Sequence, residues 1–197
     1  MSEPLYTTAV YNAATELVDA HLSAGRAEKP AFIDPGRTLT YGALASETRR
    51  MGNLLARLGL AREDRVAMIM LDTVDWPIVF LGAIRAGIVP IPLNTLLAAE
   101  QYTYMLADSR AKVVVVSAPL LPLVERALAE LAAPPRVIVA GGEASAPHLA
   151  LTAELAKESD VFETAATHPD ETAFWLYSSG STGAPKGTRH IQTSLMA

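Results

Sequence analysis

Apolar residues recur along this chain in two rhythms, one helical and one continuous, and their alternation predicts the fold. Asn12 can cap a helix in which Ala14, Leu17, Val18, His21 and Leu22 share one face, with Gly25 as the stop. Ala31-Phe32-Ile33, a turn at Asp34-Pro35-Gly36 and Thr38-Leu39 read as a hairpin. Thr40 can cap a second helix, in which Leu44, Met51, Leu55 and Leu58 keep helical spacing up to Gly59. At Val66-Ala67-Met68-Ile69-Met70 the periodicity vanishes, and an unbroken apolar run of this length fits a strand covered on both faces. A helix over 75–86 stops at Gly87. The strand over 88–93 carries Pro90 and Pro92, which place it at an edge or a strand end. A helix over 98–107, a strand at Val113-Val114-Val115-Val116, a helix over 121–132 and a buried strand over 136–140 follow. Residues 141–147, rich in Gly, Ala, Ser and Pro, read as a linker or an exposed excursion. The last strand, over 172–177, runs directly into a Gly/Ser loop.

Strands that alternate with helices predict an α/β fold with a mostly parallel sheet flanked by helices. There is no internal repeat and no long low-complexity tract. With 197 residues, half of them hydrophobic and 19% charged, the chain can bury a core without staples. The absence of cysteine excludes disulfides and thiolate metal sites and fits a reducing cytoplasm, the expected location. A net charge of −5 weighs against a nucleic-acid partner, and the basic pair Arg49-Arg50 reads as a solvated helix face. Residues 76–93 form the most apolar long stretch. Arg85 and three prolines (Pro77, Pro90 and Pro92) argue there for a buried helix and strand, not a membrane span. Residues 1–11 contain Glu3 and lack the basic start of a secretory signal.

The chemistry concentrates at Tyr177-Ser178-Ser179-Gly180-Ser181-Thr182-Gly183-Ala184-Pro185-Lys186-Gly187. Glycines let backbone N–H groups approach an anion closely, Ser and Thr hydroxyls add donors, and Lys186 adds a full charge. Together these residues make a cradle for polyphosphate. It is not a Walker A loop: Pro185 precedes the lysine and Gly187 follows it, where a magnesium-holding hydroxyl would be needed. A Gly/Ser surface linker is the plain alternative. Against it stand the apolar strand that leads in and the Pro-Lys-Gly that leads out.

Other candidates have simpler readings. His21 fits a packed residue on the first helix, whereas His148 and His168 sit beside loop signals and read as solvent-facing. No histidine pair has metal-ligand spacing. Turn and capping roles suit Asp72 and Asp75, and core roles suit Trp76 and Trp175. No Gly-x-Ser-x-Gly elbow is present.

From Ser178 to Gly187 the loop resembles the phosphate loop of the acyl-adenylate-forming superfamily, which includes acyl-CoA synthetases, peptide-synthetase adenylation domains and luciferases. Leu39-Thr40-Tyr41-x-x-Leu44 is similar to an early motif of that family, and Phe80-Leu81-Gly82-Ala83-Ile84-x-Ala86-Gly87-x-Val89-Pro90-x-Pro92-Leu93-Asn94 to the next. Tyr11-Asn12-Ala13-Ala14, Ala24-Gly25-Arg26, Asn94-Thr95-Leu96-Leu97, Tyr104-Met105-Leu106-x-Asp108-Ser109 and Phe174-Trp175-Leu176-Tyr177-Ser178-Ser179-Gly180 resemble the benzoate-CoA ligases, an aryl-CoA branch of it. The likeness runs from Tyr11 to His190 and fades at Arg189, where Gln192 stands in place of a frequent second histidine.

The resemblance implies the N-terminal portion of the adenylate-forming ligase fold and a two-step reaction. A carboxylate attacks the α-phosphate of ATP held with Mg2+, and coenzyme A then displaces AMP. It implies phosphate contacts from Ser178, Ser179, Gly180, Ser181, Thr182, Gly183, Lys186 and Gly187, with no catalytic residue and no metal ligand assigned in this chain. In the resembled family the acid pocket, the adenine contacts, the hinge and a C-terminal domain with its own lysine come later. The expectation is therefore an inactive fragment, with residues 1–170 as an N-terminal α/β subdomain and 171–197 opening the next region. Two alternatives stay open: a ligase for another acid, fatty or hydroxylated aromatic, and a non-catalytic product that associates, as a homodimer or with another chain, through exposed apolar surface.

Overall fold

The computed structural model describes residues 10–178 and 184–196. Asn12 opens the first helix as expected, its Oδ1 accepting the N–H of Ala14 at 3.1 Å. The helix is not uniform: Thr15–Asp19 is a π-turn, followed by α1, Ala20–Ser23, and Gly25 closes it at φ +71°. The hairpin forms from β1, Pro30–Ile33, and β2, Thr38–Thr40. Asp34 shapes its turn by accepting the N–H groups of Gly36 and Arg37 at 2.7 and 2.8 Å. Thr40 Oγ1 accepts from Ala43 at 3.2 Å and starts α2, Tyr41–Arg57. There Leu44, Met51 and Leu55 are fully buried, and Gly59 takes φ +81° just beyond.

Next in order come β3, Arg65–Ile69; α3, Asp75–Arg85; β4, Val89–Pro92; α4, Ala99–Ser109; β5, Val113–Ser117; α5, Leu121–Ala129; and β6, Arg136–Ala140. Helix α5 stops earlier than its apolar pattern suggested, because Pro134 and Pro135 hold the approach to β6 out of helical geometry. The excursion at 141–147 is exposed, but it does not leave the domain. It returns as β7, Leu149–Ala150, and α6, Leu151–Leu155, two elements too short to leave a periodic signal. The sheet runs β4-β3-β5-β6-β7, and every pairing in it is parallel.

Both faces of that sheet are covered, which accounts for the unbroken apolar runs. Val66, Met68, Val113, Val115 and Ile138 face a cluster built with α2 and α3. Their sequence neighbours Ala67, Ile69, Val114, Val116, Val137 and Val139 face a second cluster built with α4 and α5. Helices α2 and α3 approach so closely that a Cβ on Gly82 would lie 2.6 Å from Cβ of Met51.

Some polar residues play other parts than their sequence context suggested. Arg49 and Arg50 do not simply line a solvated face. Arg49 pairs with Asp19 at 3.2 Å, while Arg50 donates to the carbonyls of Leu155 and Glu158, and both are half-buried. Asp75 does not cap α3; it pairs with Arg37 at 2.6 Å, and the N–H of Val74 goes instead to Asp34. His148 is only 19% exposed and contacts Glu125 at 3.0 Å. His21 is packed as expected, stacked on Tyr41 at 4.1 Å.

Arg85, 1% exposed, is the most demanding group in this core. Its guanidinium donates to Asp19 at 2.8 and 3.0 Å, to Thr164 at 3.0 Å and to Thr48 at 3.2 Å. A buried ion pair broken from one side leaves an uncompensated charge, at a cost of about 3 kcal/mol. Asp19→Ala is accordingly expected to lower the urea unfolding free energy by about that amount. Adding Arg85→Met should recover part of the loss. If Asp19→Ala were neutral within about 0.5 kcal/mol, the pair would have no such role.

Candidate functional site

Strand β4 sets the position of the site. Val89 donates to Asp64 and Leu93 to Met68, each at 2.8 Å, so the odd-numbered N–H groups of β4 face β3. Its even positions, 90 and 92, face the outer edge, and both are proline without an N–H to offer. The next strand, β8, Thr172–Ser178, runs alongside β4 without joining its ladder and pairs antiparallel with β9, Lys186–Ile191. Strand β9 was not anticipated: KGTRHI lacks an apolar alternation, and its pattern of exposure is almost wholly solvent-facing.

This hairpin carries the candidate loop at its tip. Ser178 is the register partner of Lys186, and Tyr177 of Gly187. Three of the expected phosphate contacts, Ser178, Lys186 and Gly187, therefore meet on the stem, and all three are exposed. Ser179, Gly180, Ser181, Thr182 and Gly183 lie outside the described residues. Ser178 offers a hydroxyl and Lys186 an ammonium, which has no carboxylate partner among the described residues. An exposed hydroxyl paired in register with a free ammonium suits the oxygens of a polyphosphate. No three His, Asp or Glu side chains gather at metal-binding spacing among the described residues.

The stem is anchored on both faces. Phe174 enters the α2/α3 cluster, meeting Phe80 edge-on at 5.4 Å, while His190 stacks on its other side at 4.5 Å. Trp175 and Tyr177 pack against the α4/α5 cluster. The Tyr177 phenol donates to Asp108 Oδ2 at 2.5 Å, and burial, followed by that carboxylate, pushes it well above the usual phenol range. A Cβ on Gly187 would lie 3.3 Å from Cζ of Tyr177, so glycine allows β9 to pass close over the ring. At the base of the hairpin, Glu171 accepts both ends of the Arg62 guanidinium and the N–H of His168. Asp108 and Tyr177 both stood in segments that the sequence singled out, but no spacing rule joins residues 69 positions apart.

A parallel sheet covered on both faces, handing the chain to an antiparallel hairpin with Ser178 and Lys186 in register, defines an α/β architecture. The AMP-binding enzyme family matches residues 20–197, and the chain belongs to that family. It is 52% identical over 184 residues to the 4-hydroxybenzoate–CoA/benzoate–CoA ligase of Rhodopseudomonas palustris, covering 93% of this chain and 34% of the relative. It is 49% identical over 187 residues to the benzoate–CoA ligase of Thauera aromatica, covering 94% and 35%. A crystal structure of a benzoate CoA ligase from Burkholderia xenovorans LB400 superimposes with a TM-score of 0.85 at 36% identity, over 95% of this chain and 36% of that one. The fold is that of the N-terminal domain of adenylate-forming ligases, and the chain spans about a third of the length of the curated relatives it matches.

The anchor at Glu171 should be visible in acid. Burial alone would raise its carboxyl, but Arg62 and the N–H of His168 outweigh burial and hold it below the usual carboxylate range. A carboxyl lowered by folding stabilises the fold above its unfolded value, about 4.3, and that contribution is lost as pH falls through the folded value. Urea midpoints measured from pH 7 down to about 3 should fall less steeply in Glu171→Gln than in the parent, with the variant already weaker at pH 7. Parallel acid limbs would show that the pair does not hold the hairpin's base.

Proposed function

We propose that this chain is the N-terminal part of an ATP-dependent acid:CoA ligase acting on benzoate or a close aromatic carboxylate. The observation that carries the reading is the exposed Ser178/Lys186 stem on a fold about half identical to benzoate-CoA ligases over nearly the whole chain. In the proposed reaction the carboxylate oxygen attacks the α-phosphate of ATP, the α–β bridging bond breaks, and pyrophosphate leaves. The sulfur of coenzyme A then attacks the acyl carbon and expels AMP. Charge builds on the departing pyrophosphate, and donors already in place around it stabilise that charge. Ser178, Ser179, Ser181 and Thr182 would supply hydroxyl or backbone donors, Lys186 a counter-charge, and Gly180, Gly183 and Gly187 the backbone freedom. Magnesium, arriving on the ATP phosphates, would neutralise part of their charge.

In this reading residues 1–170 form the N-terminal subdomain and 171–197 open the next region, a division supported by β8 and β9 forming their own small sheet. No residue described here is assigned to acid or adenine binding. The proposed location is the cytoplasm. The cysteine-free composition supports it, and no helix among the described residues is long and apolar enough to cross a membrane.

The test uses the product of the full reading frame that encodes these residues. Benzoate-dependent exchange of pyrophosphate into ATP should be present, and Lys186→Ala should lower its kcat by about 100-fold while the KM for benzoate stays within about twofold. An unchanged exchange rate would remove Lys186 from the phosphate site. Exchange supported only by other acids would move the substrate. No exchange at all, with concentration-dependent self-association, would favour the non-catalytic reading.

A further inference from the structure

The loop stem is tied to the α/β body by a side-chain hydrogen bond whose position in the fold suggests more than packing. Asp108 stands in the last turn of α4, where the helix dipole disfavours a carboxylate. It is exposed, and no ion pair among the described residues offsets that placement. What it does have is the Tyr177 phenol, at 2.5 Å. The Tyr177 ring lies directly under Gly187, and the next register pair outward is Ser178 with Lys186. A shift of the ring therefore moves the two stem groups that face solvent. On the opposite side His190 and Phe174 stack at 4.5 Å, so the hairpin is bracketed between α3 and α4, with the polar tie on the α4 side.

We propose that Tyr177 and Asp108 form a positioning pair that fixes Ser178 and Lys186 in register for the pyrophosphate-releasing step. The proposal rests on the reading of the chain as an adenylating ligase. Neither side chain touches the reacting atoms; the pair acts through the stem. Placement matters because donors stabilise the leaving group only where its charge develops, and a misplacement of about 1 Å can cost as much as 100-fold in rate. A hydrogen bond from a neutral phenol to a carboxylate suits this role. It is directional and charge-assisted.

The experiment uses the full reading-frame product and reads two quantities. In benzoate-dependent pyrophosphate exchange, Tyr177→Phe and Asp108→Ala should each lower kcat about tenfold and leave the KM for benzoate unmoved. The double variant should be no slower than either single one. Asp108→Asn, whose amide oxygen still accepts from the phenol, should keep most of the rate. A purely structural role would lower the unfolding midpoint, leave kcat per folded enzyme unmoved and show no rescue by Asn. The second readout needs no acid: MgATP should slow tryptic cleavage after Lys186 in the parent, and several-fold less in Tyr177→Phe. Parent-like kcat in both single variants, or independent losses in the double, would overturn the positioning role even though the ligase reading stands. A parent without acid-dependent exchange, but with ATP protection that depends on Tyr177, would overturn the ligase reading and leave the positioning role intact.

Discussion

The burial of one guanidinium constrains the arrangement of everything around it. Arg85 ends α3 inside the core, and a charge so placed is tolerable only if every direction it points in is answered. Asp19 answers from the first helix, Thr48 from α2, and Thr164 from the segment that leads to β8. The backbone follows the same pattern: the carbonyl of Arg85 accepts from Ala165 at 2.9 Å, and Asn12 donates to the carbonyls of Ile84 and Ala165. Three stretches of chain, far apart in sequence, are thus fixed against the last turn of one helix. Because the desolvation cost is large, this arrangement offsets the burial of the charge more than it adds net stability. The same turn then releases the chain through Gly87 into β4.

What happens at β4 decides where chemistry can sit. A parallel sheet left open at its edge invites another strand. Pro90 and Pro92 withhold the donors on that side, so β8 lies alongside and finds its hydrogen bonds in β9 instead. The hairpin is consequently free of the sheet's register while remaining fastened to its core by Phe174 and to α4 by Tyr177.

The sequence made the body of this fold legible because burial writes a periodic signal. Runs such as Val113 to Val116, covered on both sides, and helices such as α2, with Thr40 ahead and Gly59 behind, announce themselves through composition alone. Elements without such a signal were invisible. Strand β9 is exposed nearly throughout, β7 and α6 are too short to show a period, and the π-turn at Thr15–Asp19 changes the geometry without changing the pattern. At the candidate site, residue types alone singled out Ser178, Lys186 and Gly187, and the fold brings these together on the stem. The roles of Arg49, Arg50, Asp34 and Asp108 depend on partners that only the tertiary structure supplies.

The distribution of charge sets the stem apart from the core. In this acidic chain the cations near the hairpin's foundations are already engaged: Arg85 with Asp19, Arg62 with Glu171, Lys112 with Asp64. On β9 the situation reverses. Lys186 and Arg189 have no carboxylate partner among the described residues, and both are exposed. Three positions apart on a strand, they point to opposite faces, and only Lys186 stands in register with Ser178.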